Sequence, residues 1–339
     1  MQNSTGIDEV DLAVIHAVER APRAPWALIA SAVGIDASTA ARRWDRLTGS
    51  GIAWVTCYPL LLRTQVPAIV ELVCTPDGAP RAADLIARDP QALFVDITTG
   101  DADVLVTVLA DSIQSLSTYV LDRLGTAEGV TSVRTHPILT VHTEGNLVGS
   151  GALDPQALTQ LPAPTRGRLS LSAAPGGIDD LDWRICLALS RDGRRPVSAL
   201  SADVGAAATT VQRRIQKLTR LGALRMMVEV ATSRTPTPVT VWYSARIPAR
   251  LLDEAASTLS AMPSVKAVTS VAGRNSLYFK ATFRDLEDIR GFDVRLDERL
   301  PEAEMTDRKV VLRPVRLMSR LTDAFGHAQD VVSCDIRPP

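Results

Sequence analysis

The 339-residue chain has few aromatic residues, no excess of charge of either sign and no long apolar run. Aromatics make up 4% of the chain, so its cores are predicted to be mostly aliphatic. The net charge of -1 argues against generalised binding to nucleic acid or acidic membranes, and any such binding must come from a local patch. No apolar run approaches the roughly 18 residues of a spanning helix, and the start MQNSTGIDEV lacks the features of a signal peptide. These absences predict a soluble, cytoplasmic protein with no membrane partner.

Metal-binding and catalytic motifs are absent as well. The four cysteines form no CxxC pair, and none lies near a histidine at zinc-ligand spacing. The sequence contains no P-loop, GxSxG or HExxH motif. We therefore predict reduced, mostly buried thiols, no metal, no cofactor and no enzymatic activity.

The chain repeats itself with an offset of 171 residues. From Ile7 to Ala53, residue n aligns with residue n + 171 without a gap, and far more positions are identical than chance allows. The identities include Ile7/Ile178, Asp8/Asp179, Asp11/Asp182, Pro25/Pro196, Gly34/Gly205, Thr39/Thr210, Arg42/Arg213, Arg43/Arg214 and Gly51/Gly222. So long a period indicates two tandem copies rather than a solenoid.

Each copy begins with a pattern of three helices. Asp8 and Asp179 are plausible N-caps of the first helix, and the second helix starts near a proline and ends at a glycine. The third helix is predicted to start at Ser38 or Thr209 as its capping residue. A short extended run follows in each copy, so the pattern predicts a winged helix-turn-helix with its own two-stranded element.

Downstream, each copy shows the order strand, helix, strand, strand, helix, strand, which is typical of a ferredoxin-like βαββαβ unit. The predicted fold class is α+β, with two winged helix-turn-helix domains alternating with two ferredoxin-like domains. The predicted boundaries are 1–60 and 177–232 for the helix-turn-helix domains, 61–143 and 233–320 for the ferredoxin-like domains, 144–176 for a linker and 321–339 for a loose tail. We expect a homo-oligomer, because the edge strands and one face of each sheet need covering.

The third helix of each copy combines an apolar stripe with a basic outer face. The stripes, Ala40, Trp44, Leu47 and Val211, Ile215, Leu218, follow the spacing i, i+4, i+7 of one helical face. A charge run is usually a solvated face, but a duplicated one with Thr-x-x-Arg-Arg in register favours a recognition helix in the DNA major groove. The predicted DNA-binding residues are Ser38, Thr39, Arg42, Arg43, Arg46, Thr209, Thr210, Gln212, Arg213, Arg214 and Lys217.

The two basic helices are unequal. The first carries three arginines opposed by Asp45, whereas the stretch from Thr209 to Arg225 carries five cations and no acid. The second copy is therefore predicted to supply more of the electrostatic affinity for double-stranded DNA. An open alternative is that the first copy has lost DNA reading and serves as a ligand-binding or scaffold unit.

The stretches IDEVDLAVI…VGIDASTAARRWDRLTGSG and IDDLDWRIC…VGAAATTVQRRIQKLTRLG resemble the Lrp/AsnC family of transcriptional regulators. The resemblance covers nearly the whole chain twice, as if two protomers were fused. It implies a sequence-specific transcriptional regulator that responds to an amino acid or another small metabolite.

The resemblance also implies an effector site near the turn between the second and third strands of each ferredoxin-like unit. The residues there are Gly100, Asp101 and Asp103 in the first copy, and Gly273 and Asn275 in the second, which has no acid. A simple β-hairpin turn explains the same residues equally well. The enzyme alternative, also from resemblance, is a sirohaem-decarboxylase-like protein that holds a tetrapyrrole.

Overall fold

The computed structural model describes residues 7–59, 65–144, 151–162, 169–170 and 178–336, so the predictions for the first six residues and for parts of the linker lie outside it. In chain order the first copy contains α1 Glu9–Arg20, α2 Trp26–Val33, α3 Ala37–Gly49, β1 Ala53–Pro59, β2 Val66–Cys74, α4 Gly78–Ile86, β3 Ala92–Thr98, β4 Val104–Ala110, α5 Ile113–Thr118 with a π-helical continuation Tyr119–Leu124, and β5 Val130–Thr143. The connection between the copies contains α6 Pro155–Thr159 and β6 Leu169–Ser170.

The second copy repeats this order and adds two short strands. Its elements are α7 Asp180–Arg191, α8 Val197–Val204, α9 Ala208–Arg220, β7 Leu224–Val230, β8 Val239–Arg246, α10 Leu252–Ser260, β9 Val265–Val271, β10 Leu277–Phe283, α11 Glu287–Arg299, β11 Glu304–Leu317, β12 Arg320–Thr322 and β13 Ala328–Val331. In the described part of the chain, no helix combines the length and apolar character that crossing a bilayer requires.

The first helix of each copy begins at an aspartate that caps it, and the second helix ends at a glycine in the left-handed conformation. Asp8 accepts a hydrogen bond from the N–H of Asp11 at 2.7 Å, and Asp179 accepts one from Asp182 at 2.9 Å, completing a capping box in each copy. The second helices end at Gly34 (φ 78°) and Gly205 (φ 62°), in the left-handed region that favours glycine. Both predicted features are confirmed.

The predicted caps of the third helices are wrong. Helix α3 begins at Ala37 after Asp36, and α9 begins at Ala208 after Ala207, and neither preceding residue makes a side-chain capping hydrogen bond. Ser38 and Thr209 therefore lie inside the first turn, with exposed side chains. The tight turn after the glycine leaves only two residues before the helix. The helix therefore starts before Ser38 and Thr209, although serine and threonine favour capping positions.

The extended run after each third helix does not form a wing within its own copy. Strand β1 pairs antiparallel with β7 of the other copy, in a two-stranded ribbon. Thr56 lies opposite Met227, its own equivalent at the 171-residue offset, so a pseudo-twofold axis passes through the centre of the ribbon. The prediction of one wing per copy is corrected, because each strand finds its partner across the duplication.

The two βαββαβ stretches also exchange strands. Strands run in the order β3-β4-β2-β5 in the first copy and β9-β10-β8-β11 in the second. The long last strands then continue into the other copy, since β5 pairs with β9 through residues 138–143, and β11 pairs with β3 through residues 311–317. The pairing of β11 with β8 closes the eight strands into a ring.

Helices cover one face of each sheet, and the other faces pack against each other. One core lies between β2–β4 and the helices α4 and α5, and a second lies between β8–β10 and α10 and α11. A third core joins Ile69, Leu105 and Ile138 of the first copy to Trp242, Val271 and Tyr278 of the second. The coverage that we expected from oligomerisation is thus provided within one chain, and assembly into homo-oligomers stays a prediction.

The connection and the C-terminal residues both dock on helix-turn-helix units. Leu153, Leu158 and Leu161 around α6 pack on the core of the first unit. At the other end, β12 pairs with β11 and β13, and Trp183 of α7 donates to Asp335 at 3.0 Å. The segment that we expected to be a loose tail from residue 321 is therefore ordered and packed as far as Ile336.

Candidate nucleic-acid interface

The two third helices present their apolar stripes inward and their polar residues outward. Ala40, Trp44 and Leu47 are buried in α3, as are Val211, Ile215 and Leu218 in α9. Of the predicted DNA-binding residues, Ser38, Arg42, Arg46, Thr209, Gln212 and Arg213 are exposed, whereas Thr39, Arg43, Thr210, Arg214 and Lys217 are half-buried. The predicted DNA-binding residues therefore differ in side-chain exposure, a difference that the sequence does not show.

The second arginine of each Arg-Arg pair bonds to the capping box of its own unit. Arg43 Nη1 lies 2.7 Å from Asp8 Oδ2 and 2.8 Å from Asp11 Oδ1, and Arg46 also pairs with Asp11. Burial of Asp8 opposes its ionisation, but the hydrogen bonds from Arg43 and from the N–H of Asp11 outweigh it and lower the pKa of Asp8. These arginines fasten helix three to the start of helix one.

The second copy repeats this link with one difference. Arg214 Nη1 lies 2.7 Å from Asp179 Oδ2 and 3.1 Å from the buried Asp182. The N–H of Asp182, helped by Arg214, lowers the pKa of Asp179. Lys217, the equivalent of Arg46, also lowers the pKa of Asp179 but makes no ion pair with any described residue.

The two copies therefore differ in the cations that remain available to a ligand. Among the cations of α3, only Arg42 makes no ion pair with a described residue, and the exposed acid Asp45 follows it three residues later on the helix. In α9, Arg213, Lys217 and Arg220 all make no ion pair with a described residue, and they line one concave surface together with Arg214 and Gln216. An anionic partner would therefore meet more positive charge at α9 than at α3.

The sequence reasoning missed a reciprocal contact between the two helix-turn-helix units. In the α1–α2 loop, Arg23 donates from Nη1 to Gly193 O at 2.6 Å and from Nη2 to Arg195 O at 3.0 Å. In the α7–α8 loop, Arg194 donates from Nη1 to Pro22 O at 2.6 Å and from Nη2 to Ala24 O at 2.9 Å.

These contacts obey the same 171-residue offset as the sequence repeat. Arg194 is the equivalent of Arg23, and the two carbonyls that each arginine contacts are equivalent as well. Burial lowers the pKa of Arg23 and lowers that of Arg194 to about 10. The identity of Arg23 and Arg194 at the repeat offset is the signal that could have found them.

The predicted effector turns lie against the last strand of the opposite copy. Gly100 (φ 93°) faces Asp307 on β11, and a Cβ there would be 3.2 Å from its Oδ1. Gly273 faces His136 on β5, and a Cβ there would be 2.9 Å from its Nδ1. Asp101, beside Gly100, is exposed.

Two of the predicted effector-site side chains already have internal partners. Asp103 Oδ2 accepts a hydrogen bond from the N–H of Cys74 at 2.7 Å. Asn275 is buried, donates to Tyr278 Oη at 3.1 Å and accepts from Thr306 Oγ1 at 3.0 Å. These contacts support the hairpin interpretation for both side chains.

A buried ionic cluster that the sequence did not reveal joins the two sheets. Glu71 on β2 lies 3.0 Å from Lys309 Nζ on β11 and 3.5 Å from His136 Nε2, and Tyr278 donates to it at 3.1 Å. Burial disfavours the charge of Glu71, but the nearby His136 ring and the Lys309 ammonium lower its pKa to about 2. A negative charge therefore persists between the two copies.

A cavity of about 110 Å³ separates the ribbon from the paired sheets. Tyr58 and Met227 line it from the ribbon, and Ile69, Trp242 and Lys280 line it from the sheets. Among the described residues, no group of three or more histidine, cysteine, aspartate or glutamate side chains is arranged to hold a metal ion.

Two linked helix-turn-helix units, each with a basic third helix, are typical of a DNA-binding regulator of transcription. A sequence model of the AsnC-type helix-turn-helix domain matches residues 7–48 and 178–219, and a model of the Lrp/AsnC ligand binding domain matches residues 67–148. The HTH-type transcriptional regulator AldR of Mycolicibacterium smegmatis is 33% identical over 124 residues, which are 34% of this chain and 71% of AldR. The chain belongs to the Lrp/AsnC family.

Two further comparisons describe one copy and the whole chain. The HTH-type transcriptional regulator LysM of Saccharolobus solfataricus is 29% identical over 137 residues, which are 40% of this chain and 96% of LysM. The crystal structure of the siroheme decarboxylase NirDL matches with a TM-score of 0.59 at 11% identity, over 92% of this chain and 93% of NirDL. That second likeness concerns the fold alone.

Proposed function

We propose that this chain is a DNA-binding transcriptional regulator, built from two helix-turn-helix units that alternate with two ferredoxin-like units. The observation that carries the proposal is the face of α9, where Arg213, Lys217 and Arg220 project without ion-pair partners among the described residues. Three such cations at the spacing i, i+4, i+7 lie on one helix face, from which they can contact the phosphates of duplex DNA. As a regulator of transcription the protein would act in the cytoplasm.

The predicted DNA-binding residues take two roles in this proposal. Direct contact falls to the exposed or half-buried side chains without an ion pair, namely Ser38, Thr39, Arg42, Thr209, Thr210, Gln212, Arg213 and Lys217. Arg43, Arg46 and Arg214 hold the recognition helices against the capping boxes and reach phosphate only from that fixed position. Base reading would come mainly from Gln212 and Arg213, which have the side-chain geometry for bidentate contacts.

A gel shift with the DNA immediately upstream of the protein's own gene tests the proposal. We expect a shift at low salt that weakens at higher salt, because each phosphate contact releases counterions. The Lys217→Ala variant should reduce the salt slope by about 1. Absence of a shift at low salt, or binding that salt does not weaken, would contradict the proposal.

A small-molecule effector site at the turn between β3 and β4 is a further part of this proposal. Gly100 and the exposed Asp101 remain open to a ligand, whereas Asp103 already accepts from the N–H of Cys74. At the equivalent turn between β9 and β10, Gly273 and the hydrogen-bonded Asn275 would offer backbone shape rather than free polar groups. Isothermal titration of single amino acids into wild-type protein and into Asp101→Asn checks this. If an amino acid binds both proteins with equal affinity, Asp101 is not part of the effector site.

The likeness to the fold of NirDL favours tetrapyrrole binding as a second candidate function. The cavity between ribbon and sheets measures about 110 Å³, whereas sites for small molecules usually have about 300 Å³ or more. A macrocycle would therefore require the ribbon to move away from the sheets. An absorbance titration with an iron porphyrin decides between the candidates, and we expect no saturable spectral shift.

A further inference from the structure

We propose that Arg23 and Arg194 form a clasp that sets the distance between α3 and α9 and thereby the spacing between the two DNA half-sites that one chain accepts. The inference rests on the proposed function, since spacing has a meaning only if both helices meet DNA. It assigns a positioning role to two arginines that lie away from the recognition helices.

The first argument is the reciprocity of the hydrogen bonds. Each guanidinium bridges two carbonyls that lie two residues apart in the opposite loop, and all four distances fall between 2.6 and 3.0 Å. Charge-assisted hydrogen bonds of this kind are about twice as strong as neutral ones. Because both loops donate and accept, neither helix-turn-helix unit can rotate without breaking bonds on both sides.

The second argument is what surrounds the clasp. The Arg194 guanidinium lies over the Trp26 ring at 3.9 Å from its centroid, and Trp26 packs near Trp44 of α3. The clasp therefore connects through two aromatic rings to the buried side of the first recognition helix. A cation placed over an indole face adds to the hydrogen bonds that hold the loop.

The third argument is that the clasp adjoins the ribbon, which is a second attachment between the two units. Gly193 in the α7–α8 loop donates its N–H to Val55 O of the ribbon at 2.9 Å, and a Cβ on Gly193 would clash with the Val55 side chain. The loop thus touches both Arg23 and β1. Two attachments on the same pseudo-twofold axis restrict hinge motion more than the ribbon alone would.

The consequence for DNA follows from the geometry of the duplex. Half-sites read by paired helix-turn-helix units lie about 34 Å apart, one helical turn, and each inserted base pair moves one half-site by about 3.4 Å and rotates it. Units held by the clasp cannot follow that movement without losing hydrogen bonds. Units joined only by the ribbon could follow it.

The test compares spacing profiles. Duplexes with a random core of about four helical turns are selected with wild-type protein, and the recovered site is then rebuilt with spacers one or two base pairs longer and shorter. Binding is measured by fluorescence anisotropy at fixed salt. We expect wild-type protein to lose at least about tenfold in affinity when the spacing changes by two base pairs, because the movement breaks charge-assisted hydrogen bonds on both sides of the clasp.

The variant Arg23→Ala with Arg194→Ala should bind all spacings within about threefold of one another, because the remaining ribbon allows adjustment. Arg195→Ala is the matched control, since its side chain pairs with Asp203 at the surface and only its carbonyl takes part in the clasp. This control should keep the wild-type profile. If the alanine variant does not fold, Arg23→Lys with Arg194→Lys keeps the charges but replaces the rigid fork of two donor nitrogens with one freely rotating ammonium, and should flatten the profile likewise.

The outcomes separate the two proposals. A folded double variant that keeps the wild-type spacing profile, or a wild-type protein that binds without any spacing dependence, overturns the clasp. Failure of wild-type protein to enrich any DNA overturns the proposed function instead.

Discussion

At the residue scale, neighbouring arginines on the same helix have different tasks. Arg213 projects from α9 without an ion pair among the described residues, whereas Arg214 pairs with the buried Asp182 and with Asp179. The sequence shows the Arg-Arg pair and the Asp-x-x-Asp capping box, but not that they meet. Their contact depends on how α9 crosses α7, which is set by the packing of the buried stripe.

This difference predicts opposite phenotypes for two adjacent substitutions. Arg214→Ala should lower the free energy of unfolding by about 1–3 kcal/mol, because the buried Asp182 loses a charged partner. Arg213→Ala should change stability by less than about 0.5 kcal/mol, as exposed substitutions usually do, while weakening DNA binding. Urea unfolding and anisotropy titrations measure both quantities. Equal losses of stability would show that Arg214 is not the structural member of the pair.

At the element scale, sequence patterns predicted what is local and missed what depends on a distant partner. The bounds of α1, α2, α7 and α8 follow from caps and left-handed glycines within a few residues, so they were accessible. The ribbon of β1 and β7 and the strand exchange of β5 and β11 join residues more than 100 positions apart, and no local pattern encodes their register. The C-terminal strands β12 and β13 pair with near neighbours in sequence, but at three and four residues they are too short to show a strand pattern.

The inequality between α3 and α9 gives an element-scale prediction. Arg42 and Arg46 in α3 are the equivalents of Arg213 and Lys217 in α9, so the two pairs are matched controls for each other. Arg213→Ala with Lys217→Ala should weaken DNA binding about tenfold or more, since it removes two available cations. Arg42→Ala with Arg46→Ala should cost less, because Arg46 is already paired with Asp11. Equal losses at the same salt concentration would contradict the asymmetry.

At the scale of the whole molecule, the duplication produces one pseudo-twofold unit rather than two independent copies. The ribbon, the arginine contacts between the loops and the exchanged strands all relate the copies by equivalent interactions. The repeat offset, visible in the sequence, predicts which residues are equivalent, but only the structure shows that equivalent residues meet. The ion pair of Glu71 with Lys309 is a point where this symmetry is broken, because the strand register places Ser244 at the position equivalent to Glu71.

The buried pair of Glu71 and Lys309 predicts how the free energy of unfolding depends on pH. The pKa of Glu71 is lowered to about 2, below the value of about 4.3 expected in the unfolded chain, so the unfolded state binds the extra proton between these values. The stabilisation is therefore fully present above about pH 5 and is lost as the pH falls towards 2. Glu71→Gln lacks this titration, and urea unfolding should show that its stability falls less than that of wild-type protein between pH 6 and pH 3.

The partner of Glu71 provides the decisive comparison. Lys309→Met should destabilise the protein by about 3 kcal/mol near neutral pH, because it leaves the buried carboxylate without its ammonium partner. Adding Glu71→Gln to Lys309→Met should recover the part of that loss that belongs to Glu71, since a neutral amide needs no counter-ion and can still accept from Tyr278, whereas Asp307 still lacks its Lys309 partner. Additive losses in the double variant would mean that the two groups stabilise the copies independently, and that their contact between β2 and β11 does not couple the two sheets.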